Sequence, residues 1–184
     1  MTKEFRLLSI LLLTILIVCT TVVGGYSTQE WECYEDKDLQ FKVKYPLEWK
    51  VNSIDTSNGT GESFCFTFVG NSKTALPLLE IEVVKTSESI ELIEKDLNDQ
   101  MEYYEGHPSC NFSEVRRCAF HGQKALEWNV TDSLFKQLQY SIAVKNRDLA
   151  YKISFKNSIS DWNEEWENTI QEIKGSWEFL LKSD

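Results

Sequence analysis

The sequence predicts an α+β domain, a largely antiparallel sheet with helices packed on it. Three observations carry this. Several stretches alternate apolar and polar residues, as in Leu39, Phe41, Val43 and Tyr45 around Gln40, Lys42 and Lys44. Two stretches instead repeat apolar residues at helical spacing. The connections between alternating stretches are of hairpin length, which antiparallel neighbours need and parallel ones cannot use.

The first strand covers Leu39 to Tyr45, and Pro46, with no N–H for a ladder, ends it. Trp49 and Val51 resume an extended segment. Ser53 to Glu62 is rich in Ser, Thr, Asn and Gly and reads as a loop. Phe64, Phe66 and Phe68 alternate in a second strand, Asn71 to Lys73 turns the chain, and Leu79, Ile81 and Val83 mark a third. From about Ser87 the period changes. Ile90, Ile93, Leu97 and Met101 share a helix face, with Glu91, Glu94, Lys95 and Asp99 outward, until Gly106 and Pro108 stop the helix. Phe112 to Phe120 and Lys124 to Val130 form a strand pair about His121-Gly122. A second pair runs through Leu138, Tyr140, Ile142 and Val144, turns at Asn146-Arg147-Asp148, and returns through Tyr151, Ile153 and Phe155. Ser158 or Ser160 caps a second helix whose face carries Trp162, Trp166, Ile170 and Ile173, and Gly175 ends it. Trp177 and Phe179 begin a short closing strand. Trp49 and Tyr151 fall on buried faces of patterned strands and are expected in the core.

The N-terminus has a different character. Leu7 to Val23, about 17 residues at the lower limit of a bilayer span, carries no charge and follows Lys3 and Arg6. Three readings stay open: an uncleaved membrane anchor, a signal peptide cut after Gly24 or Gly25, and a lipidated Cys19, which Val18 fits poorly. The expected organisation is therefore a signal peptide or anchor at 1–25, an acidic spacer at 26–38 and a domain at 39–184. The domain is expected outside the cytoplasm, membrane-anchored through residues 7–23 or secreted if the segment is cleaved.

The formal charge of −10, from Asp+Glu 29 against Lys+Arg 19, argues against nucleic acid and against docking of the domain on anionic lipid. Cys33, Cys65, Cys110 and Cys118 are an even set in an exported domain, so at least one disulfide is expected, with Cys110–Cys118 the poorest pair. Buried free thiols are the alternative. Asn58-Gly-Thr60, Asn111-Phe-Ser113 and Asn129-Val-Thr131 match the glycosylation acceptor pattern, Asn58 best because its surroundings read as a loop.

Few constellations carry chemistry. His107-x-x-Cys110 and Cys118-x-x-His121 mirror one another like zinc ligands, but a single strand from 110 to 118 would hold them about 27 Å apart. One ion cannot span that. Glu35, Asp36 and Asp38, and later Asp161, Glu164 and Glu165, lack the loop pattern that wraps calcium and read as solvated faces and a helix N-terminal preference. Neither histidine has an acid cluster, no nucleophile elbow is present, and no motif calls for a cofactor. Trp162, Trp166 and Trp177 are candidate partner contacts, with core packing favoured because Trp162 and Trp166 share the helix face of Ile170 and Ile173.

Three segments carry a family resemblance. Phe41-x-Val43-x-Tyr45-Pro46-x-x-Trp49-x-Val51 resembles the opening of the PsbP family. His121-Gly122-x-x-Ala125 resembles its mid-domain turn, where Asn-Gly is more usual. Ala150-Tyr151-x-Ile153-x-Phe155, a helix, then Ser176-Trp177-x-Phe179 resembles its closing segment, where Ser-Phe is more usual. The resemblance covers about Leu39 to Leu180. It implies a PsbP-like α/β/α sandwich, with a central antiparallel sheet and helices on both faces. Plant members are extrinsic lumenal subunits of photosystem II, and many prokaryotic relatives are exported or anchored domains. The resemblance therefore implies a non-enzymatic binding or scaffolding module, with a protein or small ligand as partner at the outer membrane face. A metal- or solute-capturing surface domain and a cell-surface enzyme built on scattered carboxylates are the alternatives.

Overall fold

The computed structural model describes residues 29–55, 63–70 and 75–181. The apolar block 7–23, Cys19, Asn58 and the Asn71–Lys73 turn lie outside them. Residues Trp31–Asp184 form one unit by internal contacts, separate from Met1–Glu30. No helix among the described residues is long and apolar enough to cross a membrane.

In chain order the strands are β1 (Trp31–Asp36), β2 (Phe41–Pro46), β3 (Lys50–Asp55), β4 (Ser63–Val69) and β5 (Leu78–Lys85). Helix α1 (Ile90–Tyr104) follows. Then come β6 (Cys110–Phe112), β7 (Arg116–Phe120), β8 (Gln123–Asp132), β9 (Gln137–Asn146) and β10 (Leu149–Ser158). A 3-10 turn (Ile159–Asp161), helix α2 (Glu164–Gly175) and β11 (Glu178–Phe179) close the chain. The strands form two sheets, a three-stranded one in the order β1-β2-β11 and an eight-stranded one in the order β3-β4-β5-β10-β9-β8-β6, with β7 also on β8. All pairings among the described residues are antiparallel.

Period-two alternation decides which face of each strand is buried. Phe66 and Phe68, Leu79, Ile81 and Val83, Ile142 and Val144, and Tyr151, Ile153 and Phe155 all turn to one side of the large sheet. There they meet Phe41, Val43 and Tyr45 of β2 and Trp166, Ile170 and Ile173 of α2. Trp49 and Tyr151 are both core residues, 6% and 1% exposed. The Tyr151 hydroxyl donates to the Leu39 carbonyl at 2.9 Å and so fastens the β1–β2 turn to β10. The hairpin tips follow turn chemistry: His121 and Gly122 have φ of 48° and 79°, and Arg147 has φ of 57°.

The structure corrects the expected α/β/α sandwich with helices on both faces. The fold is β-rich and mostly antiparallel, with two α-helices among the described residues. What faces the large sheet across the core is a second sheet with α2 beside it, rather than a helical layer. On the outer face α1 covers only the small cluster Leu126, Trp128 and Ala143, and none of its own residues is buried. The physical reason lies in Trp31–Asp36. Inside the stretch read as an acidic spacer, these residues pair with β2 from Trp31↔Pro46 to Asp36↔Phe41 and build the second sheet.

Candidate functional site

Two of the clefts among the described residues lie on opposite faces of the large sheet. The larger, about 540 Å³, runs between α1 and the outer face. Its floor is Val84, Ala143, Ala150 and Trp128, and its wall is Ile93 and Leu97 of α1. The floor is low because two neighbouring outward positions are alanines, which leave unfilled the space a longer side chain would take. Ion pairs Glu82–Lys152 and Glu80–Lys156, each 2.8 Å, and a buried Ser141–Ser154 hydroxyl contact of 3.1 Å line the sheet beyond the floor.

Helix α1 is held over this groove through its N-terminal half. Ser89 caps it, its Oγ accepting the Leu92 N–H at 3.3 Å, with Glu91 in the first turn where the dipole favours an anion. Arg117 of β7 grips Glu94 with two guanidinium nitrogens, Nε at 3.0 Å from Oε1 and Nη2 at 2.6 Å from Oε2, and holds that carboxyl below its ordinary range. Such a bidentate pair fixes orientation as well as distance. Lys145 Nζ donates to the Thr86 carbonyl at 2.7 Å and steadies the β5–α1 connection.

The second cleft, about 330 Å³, opens on the other face beside α2. Its polar wall is a relay. Lys174 Nζ donates to the Tyr140 hydroxyl at 2.9 Å, and Tyr140 donates to Glu127 Oε2 at 2.9 Å. Burial, reinforced by Glu127, raises the Tyr140 phenol far above its ordinary value, while burial depresses Lys174 against the pull of Glu127. The tyrosine therefore keeps its proton and spends it on Glu127. Trp162, half-buried and edge-on to Trp166 at 6.2 Å, borders the same cleft.

The residues singled out in the sequence lie mostly elsewhere. Trp166 and Trp177, 5% and 1% exposed, pack in the core, the reading favoured over partner contact, and of the three tryptophans Trp162 borders a surface cleft. No disulfide joins the expected candidates among the described residues, where Cys33, Cys65, Cys110 and Cys118 are free. Cys33 is exposed on β1 of the small sheet, and Cys65 is on the outward side of β4 in the large one. Cys110 pairs with Asp132 and Cys118 with Ala125, toward opposite ends of β8 and about 23 Å apart along it. His107 bonds Ser109 at 2.9 Å, and His121 Nε2 meets the Lys174 carbonyl at 2.7 Å, so the mirrored motif is split between two ends of the sheet. Among the described residues no three His, Cys, Asp or Glu side chains converge. Of the acidic runs, Asp36 accepts the Leu39 N–H in the β1–β2 turn and Asp161 bonds Ser158 in the 3-10 turn. Asn111 is exposed on β6 and Asn129 half-buried on β8. Sequence reading missed Ala143, Ala150 and the Glu127–Tyr140–Lys174 relay. One signal was available: Glu127 stands at a core-facing position of β8, two residues from buried Ala125, where a charge demands a partner.

No protein-family model matches the chain, and no curated protein matches it. Among solved structures it is similar to cyanobacterial PsbP (CyanoP) from Synechocystis sp. PCC 6803, with 12% identity over 85% of this chain and 96% of that one, at a TM-score of 0.60. The domain therefore has a PsbP-like fold, and at that identity the likeness concerns the fold alone. Two further likenesses have low TM-scores and carry no argument. One is to a Pseudomonas aeruginosa protein of unknown function, PA94 (11% identity, 77% of this chain, 94% of that one, TM-score 0.39). The other is to a Bacteroides thetaiotaomicron protein (14% identity, 85% and 51%, TM-score 0.44).

Proposed function

We propose that this chain is a non-enzymatic binding or scaffolding module that works outside the cytoplasm, tethered through residues 7–23, and that it engages its partner in the groove beneath α1. The groove is the observation that carries the reading. It is concave, floored by apolar atoms and edged by a few charged groups, the usual constitution of a binding site. The PsbP-like fold supports a binding rather than a catalytic role, and the basic-then-apolar N-terminus supports export.

The test is photo-crosslinking in cells from a benzophenone amino acid at position 100, exposed on the α1 side of the groove. A specific adduct is expected, and it should vanish in the variant Ala150→Phe, whose ring occupies the floor, while melting stays within a few degrees of wild type. An adduct unchanged by Ala150→Phe overturns the groove as the contact. Protease added outside intact cells should degrade the domain, and full protection overturns the location.

A further inference from the structure

We infer that the end of the domain carrying the β8–β9 hairpin is a lipid-contacting surface, with Leu134 and Phe135 entering the interfacial region of a bilayer. The inference rests on the tethered reading above.

Leu134 and Phe135 form the tip of the hairpin and are 70% and 67% exposed. Turn tips are normally polar. The tip is ordered: Asp132 Oδ1 accepts the N–H groups of both Leu134 and Phe135, at 2.9 and 3.0 Å, so two large apolar side chains are presented side by side on a fixed frame. Ile159, 44% exposed, joins them, since its N–H donates to the Lys136 carbonyl at 2.8 Å. Tyr103, 82% exposed in the last turn of α1, reaches the same end through the loop whose Ser109 carbonyl accepts the Ser133 N–H. Leu47, 49% exposed, lies in the β2–β3 turn. Strand register puts that turn at this end too, because the row Lys50↔Val69, Val69↔Leu78, Leu78↔Lys156 and Lys156↔Gln139 leads across the sheet to the base of the β8–β9 hairpin. Single exposed apolar residues need no explanation, but five of the eight large ones exposed among the described residues lie at this end, and Val84, Leu92 and Leu181 do not.

The choice of lipid follows from the chain's entry. Trp31, the first residue of β1, pairs with Pro46 and so belongs to this end. Residues 24–30, about seven, separate it from the apolar block and reach at most about 25 Å when fully extended. A domain tethered on so short a lead meets the bilayer with the end from which the lead departs. Tyr103 suits that boundary, being apolar in its ring and polar at its tip. The charges around the tip are mixed, with Lys50 and Lys136 against Glu48 and Asp161, so the contact is apolar rather than a response to anionic lipid.

The test uses the full chain reconstituted in phosphatidylcholine vesicles. A benzophenone amino acid is placed at position 135, or at position 147 on the opposite hairpin. Adducts to acyl chains from 135 are expected at tenfold or more the yield from 147, unchanged by high salt. A chain that floats with the vesicles but gives equal lipid yields from the two positions overturns the inference alone. Adducts from 135 to a second copy of the chain, in place of lipid, also overturn it. A chain that does not float overturns the tethered reading, and the inference with it.

Discussion

Trp177 offers a sharp test of how the core is held. Its ring is 1% exposed, stacks on Phe41 at 5.1 Å and 9°, and touches Phe120, Tyr151 and Phe179 at 5.8 to 5.9 Å between centroids. Among the described residues its buried indole N–H has no hydrogen-bond partner. Packing and polarity therefore pull in opposite directions, and two substitutions separate them. Trp177→Ala removes the whole ring and should cost about 3–5 kcal/mol. Trp177→Phe removes only ~40 Å³, a cavity term of ~1 kcal/mol at ~24 cal/mol per Å³, to which the lost burial adds about 1 kcal/mol. It also deletes the orphaned N–H, whose burial costs about 1–3 kcal/mol. Trp177→Phe should thus be neutral to within about 1 kcal/mol, or about 2–4 °C in Tm for a domain of this size. Trp177→Ala should melt about 10 °C or more below wild type. Urea unfolding followed by circular dichroism reads both. A Trp177→Phe variant less stable by 2 kcal/mol or more would refute the reasoning, because the N–H would then be contributing rather than costing.

Three further outcomes are expected. Ser89→Ala removes the cap of α1 and should cost about 1 kcal/mol in urea unfolding, with no change in the spectrum of the folded state. Gly70→Ala should cost about 1–3 kcal/mol, because a Cβ there would stand 2.8 Å from Pro77 Cδ, next to the hydrogen bond from Gly70 N–H to the Pro77 carbonyl. Alkaline pH should destabilise the domain between pH 10 and about 12. Burial pushes Tyr34 and Tyr45 up to about 12, aided by Asp36 and Glu32 respectively, so the unfolded chain releases protons in that window that the folded chain retains. Stability therefore falls as pH rises, and Tyr45→Phe should reduce the slope of the unfolding midpoint against pH.

Local pattern shows what a residue buries, and it read well wherever burial is one-sided. Ile90, Ile93, Leu97 and Met101 placed α1 within a few residues of its observed start, and Tyr151, Ile153 and Phe155 placed β10. It failed where the pattern is weak. In β1 only Trp31, Tyr34 and Asp36 are partly buried, the other three positions carry Glu32, Cys33 and Glu35, and the strand lies at a sheet edge where charge is favoured. The second helix was placed too early because Ser158 does cap a turn, but a 3-10 one. The α-helix starts after Asn163, whose side chain accepts the Trp166 N–H at 2.9 Å. The clefts were illegible for a different reason. Ala143 and Ala150 are ordinary strand residues until α1 is laid beside them, and that placement depends on Arg117 reaching Glu94 across 23 positions of sequence.

The outer face of the large sheet also constrains what the groove can accept. Along β5, β10 and β9 the outward positions alternate from apolar near α1 to paired polar groups further along: Glu82 with Lys152, Glu80 with Lys156, Ser141 with Ser154. Each polar group already has its partner, so a broad apolar surface laid across the two ion pairs would remove them from water without giving either a new bond. The apolar floor is only as wide as Val84, Ala143, Ala150 and Trp128. A ligand that fits both parts must set a narrow apolar group on the alanines and keep its polar part near Glu82 and Lys152. A single inserted side chain of a partner protein, or a small amphipathic molecule, meets that requirement, whereas a flat protein face does not. Ala150→Phe denies the first part and Lys152→Met the second. Loss of binding in both, with folding retained, is the pattern that this division of the groove demands.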